Sequence, residues 1–276
     1  MGGVLAVGWA CLDHRFHVEA WPPLASRTPV RSYREALGGP AAVAAWAVAR
    51  LGGEAHLLSR RGHDPAGERL ETLLKQAGVR AVWSLGEETA VSGVLVLPSG
   101  ERYIFAYPGR LPLQPPPGWQ GLLQGAGAVL VDLRWPQAAL GVLREAKLRG
   151  LPRVLDLDRW GEGVRELASE ASHIVASAEV GSLLGGIRGL ASRFPQAFVA
   201  LTQGEEGVVW EGGRLPALGV CPKDTTGAGD VFHGAFALGL AWGLGEEGSL
   251  RLANVAAGLH VQKGEPPVWE EVKGWL

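Results

Sequence analysis

The second half of the chain alternates between two kinds of segment. AVLVDL (128–133), PRVLDLD, HIVAS and AFVALTQG are short apolar runs of strand length. Between them lie PQAALGVLREAKLRG, GVRELASEA and EVGSLLGGIRGLASRF, which carry apolar residues at helical spacing. Strands that alternate with helices of this length need crossover connections. The pattern therefore predicts βαβ units, a mostly parallel central sheet flanked by helices, and an α/β fold. The chain begins in the same manner. VLAVGW reads as a buried strand, and PAAVAAWAVARL (40–51) as a helix with Pro40 in its first turn. AHLLSRRG (55–62) reads as a strand, and ERLETLLKQAGV (68–79) as a helix with Leu70, Leu73 and Leu74 on one side and a glycine stop.

Residues 80–107 break the alternation. AVWSL, VSGVLVL and RYIFAY are three strand-like runs, the last two joined at Ser99-Gly100, and they predict a small antiparallel excursion. A proline-rich connector, 108–119, leads back to the main body. Near the end, EEGVVWEGGRLPAL (205–218) predicts two short edge strands around Gly212-Gly213, followed by two long helices. A length of 276 residues suits one large domain, or one domain with a small subdomain.

Bulk properties exclude several classes of partner. A formal net charge of −2 offers no basic excess for nucleic acid. The apolar start is too short to span a membrane and has no basic flank. Cys11 and Cys221 form neither a disulfide framework nor a metal cluster, which fits the reducing cytoplasm. The seven histidines have no zinc spacing, and His233 and His260 fall among small apolar residues, where packing is expected.

The stretch with most chemical content is CPKDTTGAGDVFHGAF (221–236). Gly227, Ala228 and Gly229 leave the backbone free to turn tightly and expose its N–H groups. A helix follows, bringing unpaired first-turn amides and the positive end of its dipole. Such a place holds phosphate. Asp230 opens that helix and reads either as a cap or as a functional carboxylate. Neither GxxxxGK[ST] nor a GxGxxG after the first strand occurs, so Walker-type and standard dinucleotide sites are excluded.

DTTGAGDVFHGAF (224–236) resembles the C-terminal signature of the PfkB, or ribokinase-like, family of carbohydrate and nucleoside kinases. Other segments resemble the family in the right order: Gly8 and Asp13 in VGWACLD, Gly38-Gly39 before the first helix, Gly62, Asp64 and Gly67 in GHDPAG, and LTQGEEGVV (201–209). The resemblance implies a single ribokinase-like domain over 1–276, with a small antiparallel β lid formed by 80–107 and part of 10–35. It implies ATP and Mg²⁺, and leaves open activation by a monovalent cation such as K⁺. Asp230 would be the catalytic base, and the amides of Gly227, Ala228 and Gly229 the anion hole. Asp13, Gly38 and Gly39 would receive the sugar. Asp64 would join them, or pair with Arg60 and Arg61; Arg102 on the lid would meet a charged substrate group or solvent. Thr202, Gly204, Gly207 and Asn254 would line the ATP groove, and Lys223 would face its phosphates. Thr225 and Thr226 would line the phosphate path or make ordinary turn hydrogen bonds. Glu179 matches the family's NxxE glutamate, which organises Mg²⁺ through water.

Two positions depart from the family. Val43 stands where GGxxxN would place a sugar-binding Asn, which speaks against ribose-like recognition. Ala176 stands where NxxE would place its Asn. The implied activity is phosphorylation of a monosaccharide or sugar derivative. A nucleoside or pseudouridine kinase is the rival enzyme, with Trp9, Trp83, Tyr103 and Phe105 as candidate base-stacking residues. A catalytically silent sugar- or ATP-binding protein is the rival class. The lid strands, apolar and at an edge, predict a homodimer that buries them.

Overall fold

The computed structural model describes residues 2–23 and 27–276, so residues 24–26 of the expected lid segment lie outside the described residues. The chain opens with β1 (Gly3–Val7), β2 (Cys11–His17), β3 (Ser32–Gly38) and α1 (Pro40–Arg50), then β4 (Ala55–Gly62), α2 (Pro65–Gln76) and β5 (Arg80–Gly86). β6 (Val91–Val96) and β7 (Arg102–Tyr107) form a hairpin. The regular alternation follows: β8 (Ala126–Val131), α3 (Pro136–Leu148), β9 (Arg153–Leu157), α4 (Val164–Glu170), β10 (His173–Ser177), α5 (Ala178–Leu184), α6 (Gly186–Arg193) and β11 (Phe198–Thr202). β12 (Val208–Trp210), β13 (Gly213–Leu215), α7 (Ala228–Ala241), α8 (Gly245–Lys263) and α9 (Trp269–Val272) complete it.

The main sheet has nine strands in the order β13-β12-β11-β10-β9-β8-β1-β4-β5. It is parallel except where β12 and β13 return antiparallel at one edge. Its two faces bury different helices. Val4, Ala6 and Leu130 turn toward the layer built by α1, α7 and α8. Leu5, Val7, Val129 and Val131, one residue out of phase, turn toward α3 to α6. Period-two alternation in a strand buried on both sides produces this division.

A second sheet of four strands, β3-β2-β6-β7, stands apart as the lid. Its outer pairings are antiparallel, while β2 and β6 run parallel through the middle. Residues 80–86, expected in the lid, are instead the outer strand of the main sheet. β5 pairs in parallel with β4, from His56 opposite Arg80 to Gly62 opposite Gly86. The physical reason is α2, which makes β4-α2-β5 a crossover unit that must return to the same sheet. The segment 179–194, expected as one helix, breaks at Gly185, whose φ of +86° ends α5 and starts α6.

Candidate active site

The site residues collect where the parallel strands end, at their carboxyl edge, the usual ligand crevice of such sheets. β1 runs into Gly8 and Trp9, and β8 into Asp132. Asp132 Oδ2 accepts from the backbone N–H of Trp9 at 2.7 Å and of Ala41 at 3.3 Å. A Cβ on Gly8 would stand 2.2 Å from the Asp132 carboxylate carbon, so only glycine fits there. One buried aspartate thus fixes both the turn after β1 and the start of α1.

Asp13 lies on β2, buried, where its carboxylate accepts from Arg15 Nη2 at 3.2 Å and from the Cys11 thiol at 3.4 Å. Burial pushes its pKa up and Arg15 opposes the rise. The Gly38-Gly39 pair makes room for it. A Cβ on Gly38 would sit 2.1 Å from Asp13 Oδ1, and one on Gly39, at φ +88°, would sit 2.5 Å from the Trp9 carbonyl. The pair is therefore a steric requirement of the carboxylate beside it.

The turn before α7 has Gly227 in the left-handed region, at φ +83°, with no side chain capping the helix. The Ala228 N–H donates to the Thr225 carbonyl at 3.3 Å, and the first-turn amides that follow have no partner within the helix. Val43 packs on this turn, with Cγ1 3.2 Å from where a Gly227 Cβ would be. The His260 ring holds the turn from behind through Nε2 and the Thr226 carbonyl, 2.8 Å apart. Asp230, in the first turn of α7, is half-buried. Among the described residues its carboxylate forms no hydrogen bond. Burial, with the nearby Asp156 charge, pushes its pKa up to about 7, against the pull of His233 and Arg134.

A groove of about 360 Å³ opens in front of this helix start. Thr202, Gly204, Gly207, Thr225 and Asn254 line it together with Ala228 and Gly229. The Asn254 amide donates one N–H to the Pro216 carbonyl at 2.7 Å, which fixes its side chain in the groove wall. Lys223 and Thr226 do not line the groove: Lys223 is exposed, and the Thr226 N–H donates to Asp224 Oδ1 at 2.8 Å.

Asp64 lies outside the cluster. It caps α2 by accepting from Gly67 N at 2.8 Å, and ties down Thr89 through the backbone N–H at 2.8 Å and the hydroxyl at 2.5 Å. These bonds outweigh burial and lower its pKa. The expected pairing with Arg60 or Arg61 does not form: Arg61 meets Glu71, and Arg60 donates to the carbonyls of Pro112 and Arg134. The segment GHDPAG is a clamp on the lid's entry strand. Gly62 and Gly67 belong to it, since a Cβ on either would approach backbone atoms within 2.7 Å.

Four further residues hold this architecture together: the sequence singles out Arg102, as a lid residue that meets substrate or solvent, and His233, as packing, but not Arg15 or Arg34. Arg15, buried, bridges Asp13 and Asp224, the latter at 3.4 Å, and Arg34 reaches the same Asp224 oxygen at 3.4 Å. Arg102 donates to the Thr225 hydroxyl at 3.0 Å. Three lid strands are thus latched to the signature loop by arginines. Arg15 was detectable in principle, because i and i+2 on a strand share a face and Asp13 was already marked. The fourth is His233, discussed below.

Tyr103, Phe105 and Tyr107 project from the face of β7 opposite Arg102 and Ile104, and Trp83 lies on β5 beneath Arg61. None of these aromatics faces Asp13. Glu179 is exposed in the first turn of α5, without an ion pair or hydrogen bond among the described residues. No three acidic, histidine or cysteine side chains there are grouped to hold a metal. Glu179 is not among the residues that line the groove.

The fold and this crevice define a sugar-kinase-like α/β protein, and comparison with known proteins agrees. Residues 1–267 match the pfkB family of carbohydrate kinases. A ribokinase of Bacillus subtilis is 27% identical with all of both chains aligned. The bifunctional protein HldE of Methylococcus capsulatus is 30% identical over 94% of this chain, which covers 60% of that longer protein. Among solved structures, a provisionally assigned ribokinase from Agrobacterium tumefaciens superposes with a TM-score of 0.93 at 33% identity, covering 99% of this chain and 96% of that one. The ribokinase of Thermotoga maritima superposes at 0.85 with 21% identity, over 100% and 99% of the two chains. The chain belongs to the pfkB family, and its general activity is ATP-dependent phosphorylation of a small polar substrate.

Proposed function

We propose that this kinase transfers the γ-phosphate of ATP to a hydroxyl of a monosaccharide or sugar derivative, with Asp230 as general base. The single observation that carries this is the placement of Asp230. A carboxylate whose proton affinity is raised to about 7 stands in the first turn of an uncapped helix, at the end of a nucleotide-sized groove. Phosphoryl transfer needs alignment and stabilisation of charge on the transferred group's oxygens more than it needs covalent help. Asp230 takes the proton from the sugar hydroxyl as that oxygen bonds to the γ-phosphorus, and ADP leaves with the bond electrons. The amides of Gly227, Ala228 and Gly229 receive the transferred group without reorganising. Asp13, held open by Gly38-Gly39, grips the sugar, and Arg102 and Arg34 close the lid over it. Mg²⁺, bound with the nucleotide, supplies charge neutralisation on the phosphates. Val43, packed against Gly227 where a polar side chain would bond the sugar, favours a substrate other than ribose.

The same reading includes a homodimer joined through the lid, because every residue of β7 is exposed, and a cytoplasmic location, where ATP is abundant. Among the described residues no helix is long and apolar enough to cross a membrane. The test is incubation with Mg-ATP and a panel of pentoses, hexoses, keto-deoxy acids, sugar phosphates and nucleosides. Mass spectrometry then looks for the gain of one phosphoryl group, with Asp230→Asn beside the wild type. A phosphorylated sugar from wild type alone supports the proposal. A phosphorylated nucleoside with no sugar product overturns its substrate half, and equal product from D230N overturns the base.

A further inference from the structure

His233 stands one turn beyond Asp230 on α7 and is buried. Its two ring nitrogens meet only oxygen acceptors. Nδ1 is 2.6 Å from the carbonyl of Gly229, and Nε2 is 3.2 Å from the carbonyl of Val175 and 3.4 Å from Asp156 Oδ1. A carbonyl has no proton to give, and two lone pairs do not approach to such a distance, so Nδ1 must carry a proton. Nε2 then faces a second carbonyl and a carboxyl group. Either Nε2 is protonated against a carboxylate, or Asp156 is protonated and donates to Nε2. In both descriptions the ring and Asp156 together hold one proton besides the Nδ1–H, across a 3.4 Å ion-pair contact, while the hydrogen bond of Nε2 is to the Val175 carbonyl.

We propose that Asp156 and His233 are a proton-sharing pair that positions the phosphate-binding turn: Asp156 fixes the Nδ1–H form of His233, and that N–H fixes the Gly229 peptide. His233 touches neither nucleotide nor sugar in this scheme; it is a positioning residue that acts through Gly229. The carbonyl it grips belongs to the Gly229–Asp230 peptide, which directly follows the Gly229 amide of the phosphate-binding turn, so a rotation there shifts both the end of that turn and the backbone that carries Asp230. Orientation errors of this kind appear in kcat more than in ground-state binding.

The surroundings favour the neutral description. Burial raises the Asp156 pKa and lowers that of His233. The charged groups that bear on the ring are Asp230 on its own helix, Asp156 on β9 and Asp158 just after it, with Asp132 and Arg134 at the end of β8. β10 presents the Val175 carbonyl. Three of these carboxylates surround one arginine, and Asp158 takes that arginine as its partner. Adding a free negative charge at Asp156 beside Asp230 would be costly, and a proton held against Nε2 removes it.

The inference rests in part on the reading of Gly229 as a phosphate-binding amide, and two independent measurements separate the pair from that reading. The first is nitrogen-15 NMR of the imidazoles in the full-length protein. We expect His233 to show a protonated Nδ1 whose resonance does not titrate between about pH 6 and 9, given the ordinary imidazole midpoint near 6.5. In Asp156→Asn, Nε2 should move away from its wild-type position while Nδ1 stays. A wild-type ring protonated at Nε2 alone, or an Asp156→Asn spectrum identical to wild type, overturns the pair whatever the enzyme's substrate. The second is kinetic. His233→Phe and Asp156→Asn should lower kcat about tenfold or more with KM for ATP within about twofold, and His233→Asn, which keeps a donor, should recover part of the loss. If both variants fold, bind ATP as wild type does and keep full kcat, the positioning role is wrong even where the NMR confirms the shared proton.

Discussion

Asp230 combines a catalytic task with a stability cost, and both have the same electrostatic cause. Burial raises its folded pKa to about 7, well above an unfolded aspartate. A raised carboxyl contributes its stabilisation in the protonated form, so that contribution is present in acid and is lost as pH climbs through about 7. The base itself is needed ionised. Activity should therefore rise with pH along an acid limb centred near 7, while stability falls between about pH 4 and 7 and levels off above that. Asp230→Asn should lower kcat by about 10²- to 10⁴-fold. It should also melt higher than wild type at pH 8, with the gap narrower at pH 5 and closing only below the unfolded aspartate pKa of about 4; calorimetry at the two pH values checks the narrowing. A variant that loses activity and also melts lower at pH 8 would mean that Asp230 is a structural cap. Gly227 supplies the companion test. At φ +83° a side chain is strained, and its Cβ would press on Val43 at 3.2 Å. Gly227→Ala should cost roughly 1–2 kcal/mol of stability from the left-handed backbone and about 10²–10³ in kcat from the displaced amides. Steady-state kinetics beside urea unfolding separate the two effects.

The arginine latch is the element-scale counterpart, because it joins two sheets that have separate cores. Arg15 places one buried guanidinium between Asp13 on β2 and Asp224 in the signature loop. Burial works against the Asp224 charge, yet the Thr226 N–H and the two arginines outweigh it and hold its pKa down. Arg15→Met leaves buried Asp13 without its cation and Asp224 with only the half-exposed Arg34, and breaking a buried pair costs about 3–5 kcal/mol in comparable settings. A depressed carboxylate stabilises above its unfolded pKa and loses that effect as pH falls below it, so the deficit of Arg15→Met should be full at pH 7 and smaller at pH 3, below the unfolded aspartate pKa of about 3.9. Urea midpoints at both pH values measure it; a deficit independent of pH would point to packing alone. The latch also marks how far local sequence reached. Strands and helices of the main body were legible, since apolar periodicity is a local property. The turn at 227–229 was legible because glycine and helix chemistry are local too. β5 was not: a short, half-buried edge strand looks the same in either sheet, and only the crossover through α2 decides between them. Asp64 was misleading for a similar reason. An aspartate before a helix caps it whether or not a motif surrounds it, and here Thr89, 25 residues away, completes its bonding. Arg15, Asp156 and His233 depend on contacts between distant segments, which no spacing rule encodes.

At the scale of the whole molecule the lid leaves one strand without cover. β7 ends the small sheet, and Tyr103, Ile104, Phe105 and Tyr107 are each 45–60% exposed. Tyr103 touches Phe105, with ring centroids 4.9 Å apart, and Trp21 meets Tyr103 edge-on, so the aromatics form one continuous surface. An unpaired edge of this composition promotes uncontrolled pairing unless something specific covers it. The other edge of the lid, β3, bears Arg34 and Glu35, which satisfy ions on neighbouring elements and discourage pairing there. A two-fold partner that presents its own β7 covers both edges at once, since such an interface is self-complementary. Sedimentation velocity should find a dimer at micromolar concentration, with a melting temperature that rises with protein concentration because only the folded state associates. Phe105→Glu puts a charge in the middle of that surface and should give a monomer with its far-ultraviolet spectrum intact. Since Phe105 points away from Asp13 and Arg102, the monomer should still bind ATP in the groove beside α7. A wild-type protein that stays monomeric at tens of micromolar, with the aromatic face left in water, would show that β7 tolerates exposure and that the lid closes the site without help from a second chain.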